Sequence, residues 1–571
     1  MAFCIALAFG TGVFLGLRWG AGPSSDPLTA DARRESPTIR EDESPPPSPP
    51  ATPPMAAQPD ASPAVTSEEL PEEARTMNGP VYATPEETLE EGTLPSEHIA
   101  EGKEADTVQE PAGNTDQQAS LAAEPFPSTP ALPFAPSLSS LTWHKLGNGK
   151  GPTLLIVGGI QGDEPGGFSA ASLIASQYTI TNGSVWVVPG LNLRSILQRD
   201  RGLFGDMNRK FAAIDPDDPE YELVSQIKAL ILSKEVKIVL NLHDGSGFYR
   251  PAHEDNLRNP GRWGQSLIID QDTMDAPAFN LAALAREVES EVNQTVLEPA
   301  HRYHIHNTRT GEGNVAMSKT LSWFAVRNGK PAFGVEASKE FGTESRTYYH
   351  LQVIEAFMRR LGIDYEREFP LDPKGVLAAL NSNLKMAAYD NRLVLDLENA
   401  RPALNMVPFK KGAPPDVRAT KPLLTLVPDK AQNNWRVAYG NRTLTRVTPE
   451  FMEFDDSLDS IAMVLDGEAR TVRLGEIITV NDSFLVKGQQ GVRVNAIGAQ
   501  KEVNGTEADV KLAHKDFLPR FSVDKGATTY RVEMYKDKAF AGMVLVRFGR
   551  ENTVSDEALT ATGGPESALG F

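Results

Sequence analysis

The 571-residue sequence predicts an α/β domain, built as a mixed sheet flanked by helices, followed by two small all-β domains and preceded by a disordered N-terminal linker. Three observations lead to this prediction. Residues 23–137 are acidic and rich in proline, residues 138–368 alternate short apolar runs with amphipathic helical windows, and residues 369–552 consist of short strand-like runs separated by turn residues. The last residues, 553–571, are expected to be disordered.

The linker is defined by its charge and its prolines. Between residues 23 and 140 there are 22 Asp and Glu residues against 5 Lys and Arg residues, and 22 of the 43 prolines. Such a segment has too little apolar surface to offset the entropy lost on ordering. Nearly all of the formal net charge of −20 lies there. The remainder carries no evident basic patch, which argues against a nucleic-acid partner.

The N-terminus carries an apolar run over residues 2–17, followed by Arg18. The run is slightly short for a membrane span, and a buried helix would have nothing to pack on next to a disordered linker. Residues 1–22 are therefore predicted to be a signal sequence or an N-terminal membrane anchor. The protein is accordingly expected to be periplasmic, secreted or anchored to the inner membrane. Cys4 is the only cysteine, so intramolecular disulfides and Cys-based zinc clusters are excluded.

The predicted α/β domain, residues 138–368, has four apolar runs that indicate buried strands, at 153–157, 184–188, 236–240 and 332–335. Between them, apolar residues recur at helical spacing. They form three sets: Leu223, Ile227 and Leu230; Leu281, Leu284, Val288 and Val292; and Leu351, Ile354, Met358 and Leu361. Alternation of strands and helices over this length predicts one domain with a mostly parallel or mixed sheet.

Beyond this domain the pattern is that of two small β domains, a first over residues 369–455 and a β-sandwich-like second over 456–552. The runs 530–534 and 543–546 flank Lys536-Asp537-Lys538, which predicts a hairpin. The β domains contain no catalytic pattern, so a binding or positioning role is expected for them.

Polar residues follow two of the predicted strands. Gln161 and Glu164 lie three apart on the turn after strand 153–157, and His243 lies at the end of strand 236–240. Ligand sites in open α/β sheets lie beyond the carboxyl ends of the strands. A short spacer plus a distant histidine is the usual layout of a catalytic zinc site, in which three protein ligands leave one position open. His243 by itself would be better explained as a core histidine.

Two further segments add charged groups. Arg201 lies upstream of the pair Asn208-Arg209, and these planar donors could hold a carboxylate. A solvated basic loop is the equally simple alternative. Glu336 points from the strand at 332–335, and a lone glutamate in that position would be unremarkable.

Taken in order, these residues resemble the zinc carboxypeptidase (carboxypeptidase A-like) family, which reads His-x-x-Glu, Arg, Asn-Arg, His and a catalytic Glu. The sequence differs at the first ligand, where Gln161 replaces the family's histidine. That difference and the two trailing β domains resemble a narrower branch, the cell-shape-determining murein carboxypeptidases of helical or curved bacteria. One neutral ligand replaces another, so we expect zinc to bind, less tightly than with histidine.

The resemblance implies a carboxypeptidase-like fold, one zinc ion per chain and a role for each motif residue. Glu336 would be the general base and then the general acid, and Arg201 would be catalytic as the stabiliser of the oxyanion. The remaining roles are zinc ligation by Gln161, Glu164 and His243, and substrate binding by Asn208, Arg209 and Arg201.

The resemblance also implies the substrate: muropeptide tripeptide stems, trimmed to dipeptides with release of meso-diaminopimelate. Trp263 is a candidate contact of the released residue, although a tryptophan in such a loop more often serves packing. A partner in a wall-shaping protein complex would fit the same role.

Two other functions remain open at this stage. A deacylase of the succinylglutamate desuccinylase or aspartoacylase type would share the fold and a similar zinc motif. A non-catalytic cell-wall-binding scaffold would explain Gln161 as a lost metal ligand. His301, His304 and His306, spaced along one stretch, could suggest a second metal site, but an exposed polar face of a strand is the preferred interpretation.

Overall fold

The computed structural model describes residues 132–135 and 137–549. The predicted signal sequence or anchor, nearly all of the predicted linker and the predicted C-terminal tail lie outside these residues. Within the two ranges, none of the helices has the length and apolar character needed to cross a membrane.

Over the described residues the chain first forms the elements of the α/β region and then mainly strands. The helices are α1 (Pro165–Gln177), α2 (Leu193–Gln198), α3 (Tyr221–Ile231), α4 (Leu281–Val292), α5 (Leu321–Arg327), α6 (Thr343–Arg360) and α7 (Pro373–Asn381). The strands up to residue 367 are β1 (His144–Gly147), β2 (Thr153–Val157), β3 (Tyr178–Asn182), β4 (Ser184–Val188), β5 (Val236–Gly245), β6 (Phe248–Tyr249), β7 (Arg258–Asn259), β8 (Ser266–Ile269), β9 (Thr273–Asp275), β10 (Ala278–Asn280), β11 (His304–Asn307), β12 (Ala332–Ser338) and β13 (Asp364–Arg367).

The later strands make up most of the C-terminal region. They are β14 (Lys385–Ala388), β15 (Leu393–Asp396), β16 (Ala403–Lys410), β17 (Arg418–Ala419), β18 (Leu424–Asp429), β19 (Asn434–Tyr439), β20 (Arg442–Met452), β21 (Ser460–Leu465), β22 (Glu468–Arg473), β23 (Ile477–Val480), β24 (Ser483–Val486), β25 (Val492–Ala496), β26 (Leu512–Ala513), β27 (Thr529–Lys536) and β28 (Ala539–Phe548).

The α/β region is built on a seven-stranded sheet in the order β1-β4-β2-β5-β12-β8-β11. Strands β4, β2, β5 and β12 are parallel neighbours, whereas β1 runs antiparallel to β4 and β8 antiparallel to β12. The sheet is therefore mixed and flanked by helices, which confirms the predicted fold class. All residues of β2, β4 and β12 are buried, as expected for strands covered on both faces.

Two central strands are longer than the apolar runs that predicted them. Strand β5 continues from the predicted end at residue 240 to Gly245, and β12 continues through Glu336 to Ser338. The prediction that His243 lies at the end of its strand is thus wrong, because residues 241–245, which are mostly polar, remain paired with β12. The hydrogen-bonded partner, and not the local apolarity, sets the length of β5.

In the C-terminal region, strands form four sheets of three or four members: β15-β14-β17, β16-β20-β19-β18, β22-β21-β24-β26 and β23-β28-β27-β25. The predicted hairpin at Lys536–Lys538 is confirmed, with Asp537 at its turn in the left-handed region (φ 55°). One hydrophobic core includes Leu154 of β2 and also Val437 and Val447 of β19 and β20. The strands between residues 385 and 452 therefore share their core with the α/β region, and a second core lies among strands after residue 457.

Candidate active site

A cavity of about 340 Å³ opens where β2 ends and where β5 and β12 carry their polar residues. All eight residues that the sequence singled out for metal binding, catalysis or substrate binding line this cavity, although they come from segments 175 residues apart in the chain. They are Gln161, Glu164, Arg201, Asn208, Arg209, His243, Trp263 and Glu336.

Three side-chain donors converge at the centre of the cavity. His243 Nδ1 lies 3.1 Å from Gln161 Oε1 and 3.0 Å from Glu164 Oε2. Gln161 and Glu164 are held on the loop between β2 and α1, where Pro165 occupies the first helical position and fixes the end of the loop. All three side chains are buried. The fold therefore brings His243 into direct contact with Gln161 and Glu164, which lie 82 and 79 positions before it in the sequence.

The donor set fits a metal ion. An imidazole nitrogen, a carboxylate oxygen and an amide oxygen are ordinary metal ligands, and three protein ligands leave a position open for a reactant. Within residues 132–135 and 137–549, no group of three His, Cys, Asp or Glu side chains is arranged to hold a metal. The set described here differs from such a group because its third ligand is the amide oxygen of Gln161.

Asp206, which was not among the residues predicted from the sequence, orients the Gln161 side chain. Gln161 Nε2 donates to Asp206 Oδ1 at 2.8 Å. With the amide nitrogen held there, the amide oxygen of Gln161 faces His243. The signal available in the sequence was the position of Asp206, two residues before Asn208 in the motif.

Arg201 links Glu164 with Asp206 at the rim of the cavity. Its Nη1 donates to Glu164 Oε1 at 3.2 Å, and its Nη2 donates to Asp206 Oδ2 at 3.0 Å. The Arg201 side chain is 48% exposed, so one side of the guanidinium faces the open cavity. An arginine so placed is available to a developing negative charge on a bound carbonyl.

Asn208 and Arg209 lie on a short 3₁₀ turn behind Arg201. Asn208 Oδ1 accepts from the Leu321 backbone N–H at 3.0 Å, and its Nδ2 lies 3.4 Å from His243 Nε2. Arg209 Nη1 donates to the Asn208 carbonyl oxygen at 2.9 Å. These bonds fix both side chains in the cavity wall.

Glu336 faces the ligand set from the neighbouring strand. Residue 336 on β12 is paired in parallel register with residue 243 on β5, so both side chains lie on the same face of the sheet. The Glu336 side chain is buried, and burial raises its pKa. A raised pKa makes its carboxylate a stronger base than an exposed glutamate.

Next to His243 on β5 lies Asp244, a fully buried carboxylate that was not among the residues predicted from the sequence. Its Oδ2 accepts from the Gly166 backbone N–H at 2.8 Å and from Arg346 Nη1 at 3.1 Å. Its Oδ1 lies 3.1 Å from His350 Nε2. Burial alone would raise the pKa of Asp244, but the contacts with His350 and Arg346 hold it below its usual range. Asp244 thereby connects β5 with the first turn of α1 and with α6.

We expect the Asp244→Ala variant to lower the free energy of unfolding by about 3–5 kcal/mol, because it leaves the fully buried His350 ring and Nη1 of the half-buried Arg346 without their carboxylate partner. Urea denaturation of the full chain measures the loss. The Asp272→Ala variant is the control, since Asp272 accepts from Asn307 Nδ2 at an exposed site, where the change should be within about 0.5 kcal/mol. Equal losses in the two variants would contradict this account.

The three histidines at 301–306 do not form the exposed polar face that the sequence predicted. The His306 ring stacks on Tyr249 with centroids 4.0 Å apart and contacts the Trp263 ring at 4.8 Å. His301 contacts Phe248 and Tyr349, and all three histidines are half-buried. The prediction was wrong because the aromatic partners come from distant segments. The stack also places Trp263 as a wall of the cavity.

A further cation at the rim, Lys339, was missed as well. Its Nζ lies 3.0 Å from Asp163 Oδ2 and 3.5 Å from Glu164 Oε1. It follows Glu336 by three positions, just beyond the end of β12, and this placement at a strand end was the signal available in the sequence.

Comparison with protein families gives two matches. Residues 142–381 match the catalytic domain of the family described as carboxypeptidase controlling helical cell shape. Residues 454–549 match the C-terminal domain of metallo-carboxypeptidase. A comparison with curated proteins gave no match.

Comparison with solved structures gives the cell shape determinant protein Csd4 from Helicobacter pylori. The apo, product-bound and tripeptide-bound structures of that protein each match with 40% identity and a TM-score of 0.67, covering 72% of this chain and 100% of theirs. The mDAP-bound form of Csd4, described as a D,L-carboxypeptidase, matches with 41% identity and a TM-score of 0.66 over 70% of this chain and 97% of its own.

Proposed function

Because the chain belongs to the family of carboxypeptidases controlling helical cell shape, and is therefore a hydrolase of peptide bonds with a metal cofactor, we propose that it is a zinc enzyme that trims muropeptide tripeptide stems to dipeptides. The released residue would be meso-diaminopimelate. The related Csd4 has been solved with tripeptide and with mDAP, which supports this choice of substrate. A role in cell shape follows from the same relationship.

The observation that carries the proposal is that His243 Nδ1 lies within about hydrogen-bond distance of both Gln161 Oε1 and Glu164 Oε2, opposite Glu336. These three side chains would hold the zinc ion. When bound, zinc lowers the pKa of a water molecule and polarises a carbonyl group. The amide oxygen of Gln161 keeps the net charge of the ligand set equal to that of a set with a histidine there.

Two residues of the cavity would have separate roles in hydrolysis of the peptide bond. Glu336 would accept a proton from the attacking water and deliver it to the leaving amine, since its carboxylate is buried in the cavity and faces the ligands. Arg201 would stabilise the negative charge that develops on the carbonyl oxygen.

Asn208 and Arg209 would hold the terminal carboxylate of the substrate and so restrict cleavage to the last residue. The cation and the amide lie in the same wall of the cavity, and a guanidinium can bind a carboxylate through two parallel hydrogen bonds. Trp263, fixed by its contact with His306, would contact the released residue.

The substrate also bears on where the protein acts. A muropeptide lies in the cell wall, so we place the enzyme in the periplasm, secreted or anchored to the inner membrane through residues 1–22. In this proposal residues 23–137 are the linker, 138–368 the catalytic domain, and 369–455 and 456–552 the two β domains. A wall-shaping protein complex is its proposed partner.

The decisive experiment is elemental analysis of the full chain together with digestion of muropeptide tripeptides. We expect about one zinc per chain, conversion of tripeptide to dipeptide, loss of conversion after chelator treatment, and recovery on adding zinc back. Zinc without conversion would favour the deacylase alternative. Absence of both zinc and conversion would favour a non-catalytic wall-binding scaffold.

A further inference from the structure

The hairpin formed by β19 and β20 reaches from the C-terminal β region to the segment that leads into the active site. Nη1 and Nη2 of Arg436 on β19 both donate to the carbonyl oxygen of Leu197, each at 3.0 Å. In the opposite direction, Arg199 Nε donates to the carbonyl oxygen of Asn441 in the hairpin turn at 2.9 Å. The hairpin therefore binds the C-terminal end of α2 through two arginines.

The bound segment is directly connected to the active site. The carbonyl oxygen of Asp200 accepts from the backbone N–H of Gly162 at 3.0 Å, and Gly162 is the neighbour of Gln161. A Cβ atom on Gly162 would lie 2.1 Å from the carbonyl carbon of Ser195, so the two backbones are already in close contact. Arg201 follows immediately. A displacement of residues 197–200 would thus move both Gln161, a proposed zinc ligand, and the guanidinium of Arg201.

The hairpin itself is held against the helix that follows the ligand loop. The Tyr439 hydroxyl lies 2.9 Å from Ser172 Oγ on α1, in a buried hydrogen bond. Gly440 packs so closely on Phe168 of α1 that a Cβ atom there would lie 2.7 Å from the Phe168 ring. Since α1 begins directly after Glu164, the hairpin contacts both the helix that follows the Gln161–Glu164 loop and the segment 197–200 that packs against this loop.

We propose that the β19–β20 hairpin is a positioning element of the active site, with Arg436 and Arg199 as the positioning residues. They hold residues 197–201 so that Gln161 and Arg201 keep their places in the cavity. Neither arginine lines the cavity. The expected effect on hydrolysis rests on the proposed function. The first β domain, residues 369–455, would then support catalysis in addition to any role in binding the cell wall.

The first test compares the Arg436→Ala and Arg446→Ala variants of the full chain. Arg436 and Arg446 are cross-strand partners on β19 and β20, so both variants remove one cation from the same place. Arg446 Nη1, however, donates to Asp429 and Asn434 within the β region. We expect Arg436→Ala to lower kcat and to speed zinc loss to a chelator by about tenfold each, the lower end of the range for residues that support metal ligands. Arg446→Ala should stay within twofold of wild type in both.

The second test is a matched pair of variants on the α2 side of the interface, where Arg199 donates to the hairpin turn. Arg199 has φ 58°, in the left-handed region where asparagine is tolerated, so Arg199→Asn removes the donor without adding backbone strain. Arg194 is the control, since its Nε donates to the Leu138 carbonyl oxygen at 3.0 Å, away from the hairpin. We expect faster zinc loss for Arg199→Asn and wild-type retention for Arg194→Asn. This pair decides the question if Arg436→Ala does not fold.

Zinc retention is measured without substrate, so the proposed substrate and the proposed positioning role of the hairpin can be refuted separately. A wild-type chain that holds zinc but leaves tripeptides intact would refute the proposed substrate, and the variant pairs would still report on positioning. Equal zinc retention within both pairs would overturn the positioning role. Faster loss in Arg436→Ala and Arg199→Asn, with unfolding midpoints equal to those of their controls, would support it.

Discussion

The Glu336→Gln variant is expected to lower kcat for tripeptide hydrolysis by about 10³-fold while leaving zinc bound. Glutamine keeps the size of the buried side chain but cannot accept a proton, and general acid–base catalysis contributes about 10²–10⁴-fold. Glu336 lies across from His243 in the register of the two strands, so its substitution changes the reacting face of the cavity and none of the three ligands. Release of dipeptide under saturating substrate measures the effect.

The Glu340→Gln variant is the control for this prediction. Residue 340 is exposed, four positions further along the chain, and does not line the cavity. It should retain wild-type kcat. If Glu336→Gln retained more than about a tenth of the wild-type kcat, a role as proton acceptor would be untenable, because the loss would fall below the range for such a residue.

The second large effect is expected from the Asp206→Ala variant, which should weaken zinc binding by about 10–100-fold. Asp206 accepts the Gln161 amide N–H at 2.8 Å, and without it the amide is free to turn its nitrogen toward the metal position. Because a nitrogen that carries two hydrogens is not a ligand, each such rotation removes one of the three donors. Competition with a chelator measures the affinity.

Two variants sharpen this second prediction. Asp206→Asn retains an oxygen that can accept from Gln161, so it should recover part of the affinity lost in Asp206→Ala. Asp218→Ala removes another carboxylate of the same region, which binds Lys210 at 2.7 Å and does not line the cavity. Its zinc affinity should equal that of the wild type. Equal affinities in Asp206→Ala and Asp218→Ala would show that the Gln161 amide is oriented by something else.

The sequence predicted the central strands well where their residues are apolar. The run at 153–157 became β2 and the run at 184–188 became β4 with the same limits. It failed for the second half of β5, because residues 241–245 are mostly polar and are kept in the strand by pairing with β12. Local apolarity indicates where a strand begins, but the partner strand decides where it ends.

The candidate site shows the same division between local and distant information. Gln161, Glu164 and His243 could be proposed from spacing and strand ends, and the structure places them in contact. The burial of His306 could not, since it depends on Tyr249 and Trp263 from other segments. The contact between Arg199 and the hairpin turn joins residues that are 242 positions apart, beyond the reach of any local pattern.

The parallel pairing of β5 with β12 has a consequence for how such an active site can change during evolution. Residues 332–338 pair one for one with residues 239–245. A single-residue insertion or deletion within β12 before Glu336 would shift the register by one and turn its carboxylate to the opposite face of the sheet. The loops around the cavity can change in length without this penalty. We therefore expect lineages to vary in the length of their loops while the number of residues between the start of β12 and Glu336 stays constant. Insertion or deletion of one codon in this part of β12 should abolish activity.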